Sequence, residues 1–264
     1  MMTSINGGVA NHAIPTGEPA LVVQDLSKTY RAGEPPVWSN VSFSVPRGQR
    51  VAIIGGNGAG KSTLLRCCMR LVEPDAGEVY FGAHKITGLR GRALSRARAQ
   101  VGFVFQKHNL VHRLSVLTNV LHGGLAQRRS PRLWFQSVAP ATDRRKALSC
   151  LAQVNLAPLC GRRTDELSGG QSQRVAIARA LMQQPTMIFA DEPVASLDPQ
   201  AGEDVMQVFS DLAQAQGLTL VFVTHHLEHA LRYADRVLGL QGGRLALDAP
   251  TANQSIAGLR GMYA

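Results

Sequence analysis

One segment near the start of the chain restricts the possible folds more than any other. Residues 55–62 read Gly-Gly-Asn-Gly-Ala-Gly-Lys-Ser and match the pattern GxxxxGK[ST] in full. The apolar run Arg50–Ile54 before them predicts a strand, and Ser62–Leu71 after them predicts a helix that ends before Pro74. This order of strand, glycine-rich turn and helix brings backbone N–H groups around a phosphate. The segment therefore predicts a nucleotide-phosphate site in an α/β fold.

Each residue type in this loop has a predicted role. The backbone would surround the phosphates through Gly55, Gly56, Asn57, Gly58, Ala59 and Gly60. Lys61 is long enough to reach the β- and γ-phosphates, Ser62 can ligate Mg²⁺, and Thr63 can hydrogen-bond a phosphate oxygen. The loop thus predicts a bound nucleotide together with Mg²⁺.

A second candidate site feature is a pair of carboxylates at the end of a predicted strand. The apolar run Thr186–Ala190 leads directly into Asp191 and Glu192. Ligands of open α/β sheets bind at the carboxyl ends of the strands, so these side chains would lie near the phosphate loop. Asp191 suits Mg²⁺ through water, and Glu192 suits polarising a water for attack on the γ-phosphate.

The order of predicted elements indicates an inserted subdomain. Strands and helices alternate at both ends of the chain, and the last strands form a predicted hairpin, Arg236–Leu240 and Arg244–Asp248, around two glycines. Between the two ends the pattern is mostly helical, from about Val111 to Leu181. This arrangement predicts an α/β core that carries an inserted helical subdomain. Residues 1–18 are small and polar, and they are interpreted as a loose tail.

Composition excludes several classes of protein. With 45% hydrophobic residues the chain can bury a core, so wholesale disorder is excluded. No apolar run is long enough to span a membrane, and no secretory signal is expected. The four cysteines have no zinc-ligand spacing and are predicted to be reduced thiols.

Positive charge is concentrated in the middle of the chain. The segment from Arg90 to Arg179 contains 16 basic and 3 acidic residues, whereas the whole chain has a net charge of +10. Such a face suits a phosphate, a nucleic acid or an anionic membrane surface, or it is simply solvated in an arginine-rich protein. Aromatic residues make up only 5% and are not interleaved with the basic run, which disfavours a platform for stacking single-stranded nucleic acid.

A third motif makes the chain resemble a known family. Residues 167–171 read Leu-Ser-Gly-Gly-Gln and precede the helical run Ser172–Leu181. Together with the phosphate loop, this motif is similar to the ATP-binding subunits of ABC transporters, and the resemblance extends from Leu21 to Pro250. It implies that the helix start formed by Ser168, Gly169, Gly170 and Gln171 faces ATP held by an opposite subunit. A glycine-rich helix start is a suitable anion site, although Ser168 would serve equally as a simple N-cap.

The resemblance also implies an architecture. The fold is expected to be α/β, a P-loop NTPase core of ABC type with an N-terminal antiparallel β subdomain and an inserted helical subdomain. The ATP-binding domain would cover residues 19–250, with the helical subdomain at about 111–181. Residues 251–264 would form a short C-terminal tail.

Four further positions match the motifs of this family. Tyr30 lies where the family stacks an aromatic ring on adenine. Gln106 corresponds to the glutamine that contacts Mg²⁺ and the attacking water, and Asp198 belongs to the loop that crosses the dimer interface. His225 directly follows the apolar strand Thr219–Thr224, so it is placed as the histidine that contacts the γ-phosphate. His226, the next residue, is expected to have a surface or structural role. The catalytic set is therefore Glu192, His225 and Gln106, and the metal set is Ser62, Gln106 and Asp191.

The sequence also favours one branch of the family. Only 62 positions separate Gln106 from Ser168, which leaves room for a small helical subdomain and none for a long coiled coil. The segment Phe105–Leu121 is similar to the phosphonate-import branch. The alternatives are a subunit for another solute such as phosphate or an amino acid, a lipoprotein-release exporter, and a soluble ATPase linked to nucleic acid.

The family resemblance implies a set of partners. Two copies are expected to form a homodimer with two composite ATP sites. Integral membrane permease subunits and a periplasmic solute-binding protein would complete the transporter, and no nucleic acid is expected. The chain would then lie peripherally at the cytoplasmic face of the inner membrane. The cofactors implied are ATP and Mg²⁺.

Overall fold

A computed structural model describes residues 19–31, 33–127 and 131–263 of the chain, so the predicted tail at 1–18 lies outside the described residues. The strands are β1 (Pro19–Lys28), β2 (Trp38–Pro46), β3 (Arg50–Ile54), β4 (Ala76–Phe81), β5 (His84–Lys85), β6 (Val101–Val104), β7 (Met187–Asp191), β8 (Thr219–Val223), β9 (Arg236–Gln241) and β10 (Arg244–Pro250). The α-helices are α1 (Lys61–Cys68), α2 (Gly91–Arg98), α3 (Val116–Gly123), α4 (Ala141–Gln153), α5 (Gly169–Leu181), α6 (Pro199–Gln216), α7 (Leu227–Tyr233) and α8 (Ile256–Arg260).

The strands form two sheets of different type. The six-stranded sheet has the order β10-β9-β3-β8-β7-β6, in which β9 through β6 are parallel and β10 pairs antiparallel with β9. The four-stranded sheet is antiparallel and has the order β2-β1-β4-β5. The predicted α/β core, the antiparallel β subdomain and the C-terminal hairpin are thereby confirmed.

The central strands are covered on both faces. In β3, Val51 and Ile53 belong to the apolar cluster shared with the antiparallel sheet and α1, whereas Ala52 and Ile54 belong to the cluster on the opposite face. Successive side chains of a strand point to opposite faces, so a strand buried on both sides reads as a continuous apolar run. This burial on both faces explains why the sequence predicted β3, β7 and β8 from short apolar runs.

The inserted helical region consists of α3, α4 and α5, joined by short 3₁₀ turns. Ser115 caps α3 and Ser168 caps α5, and in each case the serine hydroxyl accepts a hydrogen bond from a backbone amide in the first turn. Buried residues of the three helices join one apolar cluster with α6 and the central sheet. Residues 167–171, called the signature motif below, therefore lie at the capped start of a helix that continues into the core.

Several element boundaries differ from the sequence prediction by a few residues. The helix after the phosphate loop ends at Cys68 instead of Leu71, because Arg70 has a left-handed backbone with φ of 51° that breaks the helical path. The strand β7 begins at Met187 and includes Asp191, one residue later than predicted. Strand β4 was not predicted from the sequence at all.

Residues 251–263, interpreted from the sequence as part of a short C-terminal tail, fold back onto the core. Ser255 caps the helix α8, in which Leu259 has an exposed fraction of only 1%. Ile256, Met262 and Tyr263 pack against the same apolar cluster as the central sheet. The segment is too short to show helical periodicity in sequence, but burial of these side chains holds it in place.

None of the helices in the described ranges combines the length and the apolarity that crossing a bilayer requires. All four cysteines are free thiols. Burial raises the pKa of Cys67 to about 12 and that of Cys150 to about 11, so these thiols stay protonated and unreactive near neutral pH.

Candidate nucleotide site

The phosphate loop joins β3 to α1 and approaches its neighbours closely. Gly55 has φ of 144°, and a Cβ atom there would lie 2.3 Å from the carbonyl oxygen of Leu240. Gly60 has φ of 85°, and its Cβ would lie 2.4 Å from Val37 and 2.6 Å from Trp38. The Trp38 indole N–H also donates a 3.3 Å hydrogen bond to the carbonyl of Gly60. Both positions require glycine, and Trp38 supports the loop from the neighbouring sheet.

Lys61 holds a buried positive charge at this loop. Its exposed fraction is 5%, and its ammonium donates 2.9 Å hydrogen bonds to the carbonyls of Gly55 and Gly56. Burial lowers the pKa of Lys61, and the nearby carboxylates of Glu192 and Asp191 oppose that shift. The ammonium is thus held against the carbonyls of the phosphate loop, where it could pair with an anionic phosphate.

A cleft of about 400 Å³ opens above the loop. Its lining includes Tyr30, Asn57, Lys61, Ser62, Thr63, Glu192 and His225. Tyr30 has an exposed fraction of 59%, and its hydroxyl lies 3.1 Å from the hydroxyl of Thr63. The exposed ring therefore lies at the rim of the cleft, with the Lys28 ammonium 5.8 Å from its centroid, and a flat base could stack on it there.

Two other predicted site residues contact the carboxylate of Glu192. Gln106 donates from its amide to Oε2 at 3.1 Å, and His225 contacts Oε1 through Nε2 at 2.5 Å. Glu192 follows β7 with φ of 49°, a left-handed conformation that is unusual for this residue type and is often found at functional sites. His226 lies outside this contact: it is exposed and stands at the start of α7. Gln106, Glu192 and His225 thus meet at the carboxyl ends of three parallel strands.

Asp191 is the buried member of the acidic pair. Its side chain has an exposed fraction of 1%, and Oδ2 accepts a 3.2 Å hydrogen bond from the guanidinium of Arg66. The other oxygen, Oδ1, is buried and has no hydrogen-bond partner among the described residues. A carboxylate oxygen without a partner suits Mg²⁺ or its bound water, and Ser62 supplies a hydroxyl in the adjacent cleft. The residues present therefore fit a magnesium ion carried in with phosphates.

The signature residues lie elsewhere in the chain. Ser168 and Gln171 form a reciprocal capping box at the start of α5. A Cβ on Gly169 would lie 2.9 Å from Leu197, and one on Gly170 would lie 3.1 Å from Ala201. Asp198 caps α6 by accepting a 3.0 Å hydrogen bond from the amide of Ala201.

The signature and the loop that contains Asp198 therefore form one packed surface. None of Ser168, Gly169, Gly170 and Gln171 lines the cleft above Lys61. Within one copy, the structure thus separates the phosphate-loop cleft from the signature residues, although the sequence assigned both to ATP binding.

Sequence reasoning missed two residues that support this site, Arg66 and Trp38. Arg66 lies four positions after Ser62, so the two share one face of α1, and that spacing was the available signal. Its partner Asp191 is 125 positions away, which no local pattern reveals. Trp38 gave no signal, because a buried tryptophan at the start of a strand usually only packs.

Comparison with known proteins agrees with this geometry. The sequence profile described as "ABC transporter" matches residues 38–195. The phosphonates import ATP-binding protein PhnC of Treponema denticola is 43% identical over 86% of this chain and 88% of its own length. The chain belongs to the ABC transporter family. A second relative, the phosphonates import ATP-binding protein PhnC of Rhodopseudomonas palustris strain BisB5, is 45% identical over 92% of this chain and 89% of its own.

Solved ABC cassettes share the fold. The dimeric post-hydrolysis structure of the cassette MJ0796 with ADP and phosphate has a TM-score of 0.75 at 35% identity, and it covers 88% of this chain and 98% of its own. The ADP conformation of the cassette MJ1267 has a TM-score of 0.78 at 30% identity, with 92% and 93% covered. This ABC subunit is accordingly an ATP-binding cassette of the ATP-hydrolysing type.

Proposed function

We propose that two copies of this ABC subunit hydrolyse ATP between them and thereby energise uptake of a phosphonate, or a related phosphorus oxyanion, through a separate permease. The observation that carries the hydrolytic part is the contact of Gln106 and His225 with the Glu192 carboxylate, in the cleft that also contains Lys61. The solute class rests on the relatives, which are named as phosphonate import proteins and are more than 40% identical over most of the chain.

In this proposal the chain's own residues bind the phosphates and orient water. Lys61 and the loop amides hold the β- and γ-phosphates, and Tyr30 stacks on the base. Glu192 accepts a proton from the attacking water, while Gln106 and His225 fix the direction of its carboxylate. Ser62, Asp191 and Gln106 would hold Mg²⁺, which neutralises phosphate charge when bound.

The signature residues complete the site of the other copy. Ser168 and Gly169 are exposed at a glycine-rich helix start and Gly170 is buried, and all three lie away from the cleft of their own chain. A head-to-tail pair would bring Ser168, Gly169 and Gly170 of one copy against the γ-phosphate held by the other. Each ATP would then join the two copies, and hydrolysis would release them.

A groove beside Gln106 supports docking of the permease. It has a volume of about 590 Å³, and its lining includes Leu71, Phe103, Phe105, Asn109 and Leu125. The proposed partner inserts an apolar segment here, so the subunit lies peripherally at the cytoplasmic face of the inner membrane. The basic residues between Arg90 and Arg179 would then lie near anionic headgroups. A periplasmic solute-binding protein and the permease would select the solute, which this chain does not touch.

An uptake assay tests the solute class. A strain that lacks this gene is given back the wild-type gene or Glu192→Gln, and accumulation of labelled methylphosphonate is measured beside labelled phosphate and a labelled amino acid. We expect only wild type to restore methylphosphonate uptake, with the other two solutes unchanged. Restored uptake of phosphate or the amino acid alone would assign the subunit to another importer, and no change in any solute would reject the importer proposal.

A further inference from the structure

The C-terminal segment lies directly against the elements that carry the nucleotide site. Leu259 is buried, and the side chain of Met262 covers Gly239 in β9 so closely that a Cβ there would lie 2.5 Å from its methyl group. The side-chain amide of Gln241 donates a 3.1 Å hydrogen bond to the backbone carbonyl of Gly261. These contacts fix the chain just before Tyr263, the last residue that the structure describes.

The ring of Tyr263 is half-buried at the carboxyl ends of the central strands. Its hydroxyl donates a 3.5 Å hydrogen bond to the carbonyl of Thr224, the residue that follows β8. The backbone amide of Thr224 in turn donates to the carbonyl of Ile53 in β3 at 3.2 Å. Tyr263 therefore contacts the region where the segment that carries His225 and the phosphate loop leave the adjacent strands β8 and β3.

The surroundings of the phenol include the catalytic groups. Burial raises the pKa of Tyr263. A hydrogen bond from the backbone of Gly55 lowers this pKa, and the negative charge of Glu192 raises it. The phenol is thus kept neutral near neutral pH, and its hydroxyl can donate a hydrogen bond to a carbonyl oxygen.

We propose that Tyr263 is a positioning residue of the nucleotide site, which acts on His225 through the peptide that joins it to Thr224. The carbonyl of Thr224 and the N–H of His225 belong to one planar peptide unit, so a hydrogen bond to that carbonyl limits rotation of the plane from which His225 projects. His225 must stay within reach of Glu192, which it contacts at 2.5 Å. This inference rests on the proposed ATP hydrolysis, and it makes the C-terminal segment part of the catalytic unit.

The test removes the Tyr263 hydroxyl and keeps the ring. ATP hydrolysis by Tyr263→Phe and wild type is measured with the full chain assembled with its permease, together with KM for ATP and thermal unfolding. Tyr80→Phe is the matched control, since its hydroxyl pairs with Glu78 on the antiparallel sheet away from the cleft. Tyr263→Leu tests the packing contribution of the ring.

For Tyr263→Phe we expect kcat to fall about three- to tenfold, which corresponds to one net hydrogen bond. KM for ATP should stay within about twofold, and the unfolding temperature should fall by no more than about 2–4 °C, because Phe keeps the packing and only one hydrogen bond is lost. Tyr80→Phe should match wild type in all three measurements.

Wild-type kcat in Tyr263→Phe would overturn the positioning role. A loss of kcat that appears only in Tyr263→Leu, together with a lower unfolding temperature, would also overturn it and assign the residue to packing. Failure of the proposed function would look different, because wild type itself would then hydrolyse no ATP.

Discussion

At the scale of single residues, the site is defined by charges that are buried before any ligand arrives. Lys61 has its ammonium bonded to two loop carbonyls, and Asp191 has one carboxylate oxygen paired with Arg66 and one without a partner. A buried charge that is only partly compensated is costly, so it favours a ligand of opposite sign. Both residues are therefore prepared for a phosphate–magnesium ligand.

The first prediction concerns Lys61. Lys61→Ala should weaken ATP binding by about thirtyfold or more, because the phosphate charge loses its buried hydrogen-bonded partner. Titration of the purified subunit with a fluorescent ATP analogue measures this change. Lys85→Ala, which removes an exposed lysine paired with Glu78, is the control and should bind normally. Wild-type affinity in Lys61→Ala would exclude Lys61 from the nucleotide site.

The second prediction concerns Arg66. Arg66→Leu leaves the buried Asp191 carboxylate without its cation and should lower the free energy of unfolding by about 1–2 kcal/mol, less than for a fully buried pair because Arg66 is half-exposed. Mg²⁺ with ATP should reduce the deficit, since the metal supplies the missing positive charge. Thermal unfolding with and without MgATP measures both effects, and Arg92→Leu on the exposed face of α2 is the control. Equal unfolding temperatures for Arg66→Leu and wild type would contradict the importance of this ion pair.

Local patterns located the residues proposed to contact a phosphate and missed those that support them. The phosphate loop and Glu192 each follow an apolar strand, so local pattern was sufficient to locate them. The role of His225 came from the family resemblance, and the apolar strand before it fixed only its register. Arg66 and Tyr263 act through contacts 125 and 39 positions away. Such contacts depend on how the sheet brings strand ends together, which one sequence does not reveal.

At the scale of elements, helix starts carry much of the proposed chemistry. The helix α5 begins with a serine-capped, glycine-containing turn, and its start is exposed. The sequence predicted the start of α5 because a capping residue acts on the turn next to it. The strand β4 was not predicted, and the end of α1 was predicted three residues too late. The end of α1 depends on the left-handed backbone of Arg70, and an arginine gives no sequence signal for that conformation.

The third prediction tests the signature helix. Ser168→Arg should leave ATP binding by a single copy unchanged and should abolish hydrolysis, because the large side chain would occupy the position of the opposing γ-phosphate. Ser168→Ala is the control: it loses the cap, at a cost of about 1 kcal/mol, but adds no bulk. Nucleotide titration and phosphate release are the two measurements. Wild-type turnover in Ser168→Arg would contradict a composite site.

At the scale of the whole molecule, one helix connects the signature motif to the loop that follows Gln106. The start of α5 carries the signature, and near its end Arg179 donates hydrogen bonds to the carbonyls of His108 and Asn109 at 2.8 and 2.6 Å. These carbonyls belong to the loop that follows Gln106 and borders the apolar groove. Movement of the signature helix during dimer closure would therefore move the docking groove for the permease.

The central claim is that Glu192 activates water in an ATP site shared by two copies, and Glu192→Gln tests it most directly. The amide keeps the size of the side chain but is a far weaker base, while the phosphate loop, Asp191 and the signature are unaltered. Size-exclusion chromatography with ATP and Mg²⁺, followed by a phosphate-release assay on the same samples, measures both parts of the claim. We expect a stable dimer with background turnover for Glu192→Gln and mostly monomer with full turnover for wild type. Hydrolysis by Glu192→Gln at close to the wild-type rate, or a mutant that stays monomeric with ATP bound, would contradict the account.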